Sequence, residues 1–202
     1  MKLAIMTKPT FFVEEDKILS SLFDEGLECL HLSKPGLAPI YYERLLSLLP
    51  SSTHRRLIVH DHYYLKNEYD LAGIHINDMD APTPRGYKGK VSRSCMDLSR
   101  LREMKKCSDY VLLKNIFDSI ELSDEKASFT IKQLESAASA GLIDKHVYAM
   151  GGITAERISI VRQLGFGGVV ICGDLWNHFS IHNQQDYEEI ITYFGKLRKA
   201  AG

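Results

Sequence analysis

Eight short runs of β-branched and aliphatic residues recur along this chain, and most are followed by a longer stretch with apolar residues at three- and four-residue spacing. The runs cover residues 2–7 (KLAIMT), 29–33 (CLHLS), 57–60 (LIVH), 73–76 (GIHI), 91–94 (VSRS), 110–115 (YVLLKN), 147–150 (VYAM) and 168–172 (GVVIC). After the first come Ile18, Leu19, Leu22 and Phe23 at helical spacing, stopped at Gly26; after the second come the Pro35-Gly36 turn and Leu45, Leu46 and Leu49 before Pro50. Residues 96–104, 129–140, 155–164 and 184–197 carry the same amphipathic period. Parallel strands need crossover connections, so this alternation predicts a parallel sheet of the α/β class. Eight units in one domain over residues 1–202 predict a closed (β/α)8 TIM barrel. An open doubly wound sheet shares the alternation but usually carries a glycine-rich turn after its first strand, where this chain has Thr7-Lys8-Pro9-Thr10. The fourth βα unit is irregular: Pro82, Pro84, Gly86 and Gly89 argue against a full helix in residues 80–90.

A hydrophobic share of 45% with 25% charged residues suits a folded globular chain with a buried core. The formal net charge of −1 gives no global field toward nucleic acid or an anionic membrane, so neither is expected as a partner. Lys105-Lys106 and Arg198-Lys199 read as solvated helix faces. Cys29, Cys95, Cys107 and Cys172 form no C-x-x-C pair or zinc-finger spacing, and Cys29 and Cys172 sit in apolar runs. With no signal-peptide core and no apolar run long enough to span a bilayer, the expectation is a reduced, cytoplasmic protein.

In such a barrel, reactive groups come from the loops at the carboxyl ends of the strands. Here those ends supply His31, Ser33 and Lys34; His60, Asp61 and His62; Asn77, Asp78 and Asp80; Ser94; Lys114 and Asn115; Gly151 and Gly152; and Gly173 and Asp174. The sharpest of these is Met150-Gly151-Gly152-Ile153-Thr154, where glycines let a ligand approach the backbone and a helix is expected to open. Cys172-Gly173-Asp174 is its counterpart after the eighth strand, and barrels often hold phosphate between these two loops. A phosphorylated small molecule is therefore the expected partner, with homo-oligomerisation left open. Asp61 and Asp80 are candidate magnesium ligands, since that ion takes one or two carboxylates plus phosphate oxygens. Taken singly, each also fits a turn or helix-capping aspartate. His60 and His62 share a face of an extended strand, but no third ligand is specified and a zinc site does not follow. His31 and His75 alternate with apolar neighbours, as interior histidines do. No G-x-S-x-G elbow supports a nucleophilic triad.

Together these segments resemble the thiamine phosphate synthase/TenI group of (β/α)8 barrels. Leu30-His31-Leu32-Ser33-Lys34 resembles its Q-L-R-x-K stretch, and Ile58-Val59-His60-Asp61 its apolar-N-D segment. Residues 73–80 (GIHINDMD) resemble G-V-H-L-G-Q-x-D, nineteen residues separating Asp61 from Asp80. Ser92-Arg93-Ser94-Cys95 and Asp109-Tyr110-Val111 are similar to its strand-five serine motif and D-Y-V, and Ala149-Met150-Gly151-Gly152-Ile153 is similar to A-I-G-G-I. The resemblance implies a transferase joining hydroxymethylpyrimidine diphosphate to thiazole phosphate with release of diphosphate. It implies Mg2+ on Asp61 and Asp80, thiazole phosphate at Gly151, Gly152 and Gly173, and Ser94 beside the pyrimidine diphosphate.

The departures are specific. The group's glutamine and arginine are His31 and Ser33 here, its lysine position is Pro35 with Lys34 one place early, and the asparagine before the first aspartate is His60. The loop after the sixth strand reads Lys114-Asn115-Ile116-Phe117-Asp118-Ser119, without the group's terminal lysine. Several cations that would grip diphosphate are missing, and serine does not replace a guanidinium fork. Three readings follow in order: a divergent synthase with Lys34, His31 and Lys114 as substitute cations; a thiazole tautomerase, whose histidine falls at Asn115 with His31 or His60 as stand-ins; and a non-catalytic phosphate binder.

Overall fold

A computed structural model of the chain describes residues 1–120, 124–179 and 186–202. Eight parallel strands close into a barrel in sequence order: β1 (Lys2–Met6), β2 (Leu30–Leu32), β3 (Leu57–Val59), β4 (Gly73–Ile76), β5 (Lys90–Cys95), β6 (Tyr110–Leu113), β7 (Val147–Met150) and β8 (Gly168–Ile171). Closure is made by β1 on β8, Lys2 opposite Gly168 through Ile5 opposite Ile171. The helices are α1 (Glu15–Asp24), α2 (Pro39–Leu48), α3 (Leu65–Glu68), α4 (Leu101–Met104), α5 (Ile131–Ser139), α6 (Ile158–Gln163), α7 (Gly173–Trp176) and α8 (Asp186–Ala201). The TIM barrel expected from the alternation is the fold observed. No helix among the described residues is long and apolar enough to cross a membrane.

Local chemistry explains the starts of α5 and α2. Thr130 and Gln133 form a capping box ahead of α5, each side chain bonding the other's backbone N–H. Pro39 enters α2 where a missing N–H costs nothing. Where one helix was expected over 96–104, a 3-10 turn (Leu98–Arg100), capped by Asp97, leads into the short α4. α6 begins at Ile158, after the Thr154–Arg157 turn, so Gly151-Gly152 do not open it directly. In the span expected from 184, residues 184 and 185 lie outside the described residues and α8 begins at Asp186. The irregular fourth unit is as expected, with no helix between β4 and β5.

β5, the weakest run in the sequence, is a six-residue strand. Its inward residues Ser92 and Ser94 hydrogen-bond to His75 on β4 instead of supplying apolar bulk. That is why the hydrophobic pattern underreports it. Between strands Arg93 points outward and is buried, bonding the Ala81 carbonyl at 2.7 Å and the Thr83 hydroxyl at 3.0 Å. It ties the proline-rich β4–β5 connection to the barrel wall.

The main core lies between strands and helices, with Leu19, Leu22, Leu46, Val59, Ile74, Val111, Val161 and Phe194 fully or almost fully buried. A smaller apolar cluster, Ala4, Met6, Tyr110, Leu112 and Val170, lies inside the barrel. α7 was not expected from the sequence; its Trp176 is buried, and the indole N–H donates to the Met6 carbonyl at 2.7 Å. This bond locks the helix after β8 to the end of β1. Trp176→Ala is expected to lower unfolding stability by about 3–5 kcal/mol, read as a drop in urea midpoint at unchanged slope. A loss below about 1 kcal/mol would show that α7 is not anchored through this side chain.

Candidate active site

The carboxyl ends of β6, β7 and β8 surround a cavity of about 300 Å³ lined by Lys114, Asn115, Gly151, Gly152, Cys172, Gly173 and Asp174. Seven of the residues singled out in the sequence thus meet in one place. Two backbone bonds clasp the β6 and β7 loops, Ile116 N–H to the Met150 carbonyl and Phe117 N–H to the Gly151 carbonyl, both 3.1 Å. Asn115 sits in the left-handed region at φ 55°, and Gly151, at φ 100°, packs so closely that a Cβ there would lie 2.8 Å from the Asn115 backbone. Gly152 is as constrained, because an added Cβ would come 2.2 Å from the Asp118 carbonyl. Gly173 starts α7 directly after β8, and its N–H has no backbone partner among the described residues. The Lys114 amine makes no hydrogen bond or ion pair among the described residues, and burial lowers its pKa against the attraction of Glu125 on the same cavity. An open cation beside a glycine-lined wall suits an anion.

Asp61 and Asp80 follow β3 and β4, neighbouring strands of the same rim. Asp61 Oδ2 accepts the Tyr42 hydroxyl at 2.9 Å, and Oδ1 makes no hydrogen bond among the described residues. Asp80 is largely exposed and pairs with Arg100 at 2.7 Å. Hard oxygen donors with an open lone pair fit a divalent cation such as Mg2+, with Arg100 competing for Asp80.

Lys34 stands apart. Its amine is fully buried, 2.5 Å from Glu15 Oε1, 3.0 Å from the Thr10 carbonyl and 4.4 Å from the Phe11 ring centre. Burial pushes the Glu15 carboxyl up to about 7 even against the attraction of Lys34. Tyr42, whose hydroxyl accepts the Lys34 backbone N–H at 2.9 Å, links the Lys34 backbone to Asp61. Lys34 therefore braces the wall behind Asp61 rather than facing the mouth as a free cation.

Beneath the mouth, beside the smaller apolar cluster, part of the barrel interior is polar. Tyr110 hydroxyl lies 2.8 Å from His31 Nε2, His31 Nδ1 lies 2.9 Å from His60 Nε2, and His60 also reaches the Asn77 side chain. His75 stacks on His60 at 4.1 Å between ring centres and bonds Ser92 at 2.8 Å and Ser94 at 2.9 Å. Ligand nitrogens of His31, His60 and His75 lie within 4.8 Å of one another. Each ring is already engaged in hydrogen bonds, so a neutral network accounts for the cluster. Burial is the first cause of the depressed pKa of all three; Lys114 adds to it, and His31 is held down to about 3. His62, read in the sequence as sharing a face with His60, turns away at φ 52° to bond the Leu37 carbonyl at 2.8 Å. The left-handed residue breaks the strand alternation on which that reading relied. Ser94 lies inside this network instead of open at the rim.

Sequence reasoning missed Tyr42, Glu15, Arg100 and Tyr110. The first three lie outside the strand ends, and no local motif marks any of them; only the Asp109-Tyr110-Val111 segment offered a signal for Tyr110.

The closed barrel, with a glycine-lined cavity and two aspartates at the carboxyl ends of its strands, defines a (β/α)8 protein whose candidate site lies where such barrels carry theirs. Residues 24–175 match the family model described as thiamine monophosphate synthase. The crystal structure of thiamine phosphate pyrophosphorylase from Bacteroides thetaiotaomicron is 43% identical, with a TM-score of 0.89 over 100% of this chain and 98% of that one. The chain belongs to the thiamine monophosphate synthase family. Thiamine phosphate pyrophosphorylase from Pyrococcus furiosus shares the fold at 17% identity and a TM-score of 0.77, covering 99% of this chain and 95% of that one. Tryptophan synthase subunit alpha from Legionella pneumophila shares it at 14% identity and 0.66, covering 99% and 92%. No curated protein matches the chain by sequence.

The histidine network makes stability pH-dependent. Because the folded pKa of His31 is about 3 against 6.5 unfolded, the unfolded chain binds more protons between those values. The stability associated with a neutral His31 is complete above about pH 6.5 and is lost as pH falls toward about 3. His60 and His75 act in the same direction. The urea midpoint should fall between about pH 7 and pH 4, and less steeply in His31→Gln. Equal slopes in both proteins would remove His31 from this account.

Proposed function

We propose that this protein joins hydroxymethylpyrimidine diphosphate to thiazole phosphate, forming thiamine phosphate and releasing diphosphate. The carrying observation is that Asp61 and Asp80 share a rim with the Gly151-Gly152 and Gly173 cavity and the unpaired Lys114. Support comes from family membership and from the 43% identity to a structure bearing the name thiamine phosphate pyrophosphorylase.

In this reading Gly151, Gly152 and Gly173 bring backbone close to the thiazole phosphate, and Lys114 supplies positive charge at the same mouth. The thiazole nitrogen then faces the exocyclic carbon of the pyrimidine. As the carbon–oxygen bond to diphosphate breaks, that nitrogen supplies the pair for the new carbon–nitrogen bond, and the leaving group departs with both electrons of the old one. Asp61 and Asp80 would hold Mg2+, which when bound supplies charge neutralisation to the diphosphate. Tyr42 orients Asp61 by its hydroxyl, and the Lys34 backbone N–H holds that hydroxyl in place. His60 and His31 form the neutral floor beneath the pyrimidine, so that no imidazolium opposes a developing cation.

A thiazole tautomerase is the second reading, favoured by Lys114, an amine at the cavity whose pKa burial lowers and which can carry a proton to or from a bound ligand.

Purified protein supplied with Mg2+ and both substrates should form thiamine phosphate, and Asp61→Ala should reduce the rate by about a hundredfold or more. Asp80→Ala should also reduce it, because its second carboxylate is lost. Absence of product alongside an active related synthase excludes the transferase. Tautomer conversion lost in Lys114→Ala would then establish the second reading, and saturable binding without turnover would establish a phosphate binder.

A further inference from the structure

The opposite mouth of the barrel, at the amino ends of the strands, holds a cavity of about 350 Å³. That volume falls within the range of small-molecule sites. Its floor is aromatic and apolar: the half-buried Tyr148 ring stacks on the buried Tyr110 with ring centres 4.6 Å apart and an interplanar angle of 26°, beside Cys29 and Ile58. Tyr148 is half-buried and its hydroxyl makes no hydrogen bond among the described residues.

The wall is cationic. Lys2, Arg55, Arg56, Lys90 and Lys145 line it against two carboxylates, Glu28 and Asp109. This concentration of positive charge is notable in a chain of net charge −1. Both carboxylates are engaged, Glu28 by Lys2 at 3.0 Å and Asp109 by the Val91 N–H at 2.8 Å. Arg55 is paired with Asp70, and Arg56 bonds the Phe23 and Leu27 carbonyls. Lys90 and Lys145 have no ion pair among the described residues, and they approach from β5 and from the segment before β7. An aromatic, apolar floor under unpaired cations matches an aromatic ring bearing an anionic group.

We propose that this amino-terminal mouth is a second binding site, taking a small aromatic anion with its ring against Tyr148, beside Tyr110, and its charge on Lys90 and Lys145. The proposal is independent of the chemistry at the other mouth. A ligand here would touch Tyr110, whose hydroxyl bonds His31, so the site abuts the interior network without sharing the catalytic cavity.

The test is an NMR titration of the full chain with phenyl phosphate, following the amides of residues 28–30, 90, 110, 145 and 148, with inorganic phosphate in parallel. Saturable shifts are expected at these amides. The double variant Lys90→Glu/Lys145→Glu, at two exposed positions that leave the core untouched, should weaken this binding at least about tenfold. Lys114→Ala, at the opposite mouth, should leave it unchanged. Three results would overturn the proposal: no saturable shifts here, the same affinity in the double variant, or inorganic phosphate binding as tightly as phenyl phosphate. Shifts confined to the Gly151-Gly152 loop would also overturn it, while leaving the proposed transferase reading intact.

Discussion

Closure of the sheet between β1 and β8 places everything else in this molecule. Because all eight strands run parallel and the register across the seam is unbroken from Lys2 to Ile5, every carboxyl end emerges on one rim. Segments more than a hundred residues apart, such as Asp61 and Gly173, therefore contribute to the same mouth. The backbone bonds between the β6 and β7 loops and the indole bond from Trp176 to β1 extend that placement past the strand ends.

Closure also creates an interior that must be filled, and this chain fills it partly with polar rings. Branched aliphatic side chains are the usual choice. His31, His60, His75, Ser92, Ser94 and Tyr110 here replace much of that bulk with a hydrogen-bonded network. Burying such groups costs stability unless their donors and acceptors are matched. Tyr110–His31–His60–Asn77 and Ser92–His75–Ser94 supply that matching, and burial keeps the imidazoles uncharged. A neutral floor leaves Lys114 as a nearby positive charge at the mouth, where it lowers the proton affinity of the rings below it.

The cations expected to substitute for the missing diphosphate contacts have divided their roles. Lys34 is consumed by a buried pair with Glu15 and reaches the site only through Tyr42 and Asp61. A buried pair of this kind adds little net stability, yet losing either partner strands the other charge. Lys114 stays open to a ligand. The family's arginine position is Ser33 here, so no guanidinium stands at that point of the rim.

The order of strands, the barrel class, the irregular β4–β5 connection and the glycine-rich rim were legible in the sequence because each rests on local period or local backbone freedom. β5 was faint for the same reason: Ser92 and Ser94 break the apolar pattern, and their partner His75 lies on another strand. The pairing of His31 with His60 in place of His62, the diversion of Lys34 to Glu15, the Tyr42 bond to Asp61 and the anchoring of α7 by Trp176 were decided only by tertiary structure. Those contacts join residues whose neighbours in the chain carry no trace of one another. Periodicity reports which face of a strand or helix is buried, whereas the partner a buried polar group finds depends on which surfaces closure brings together.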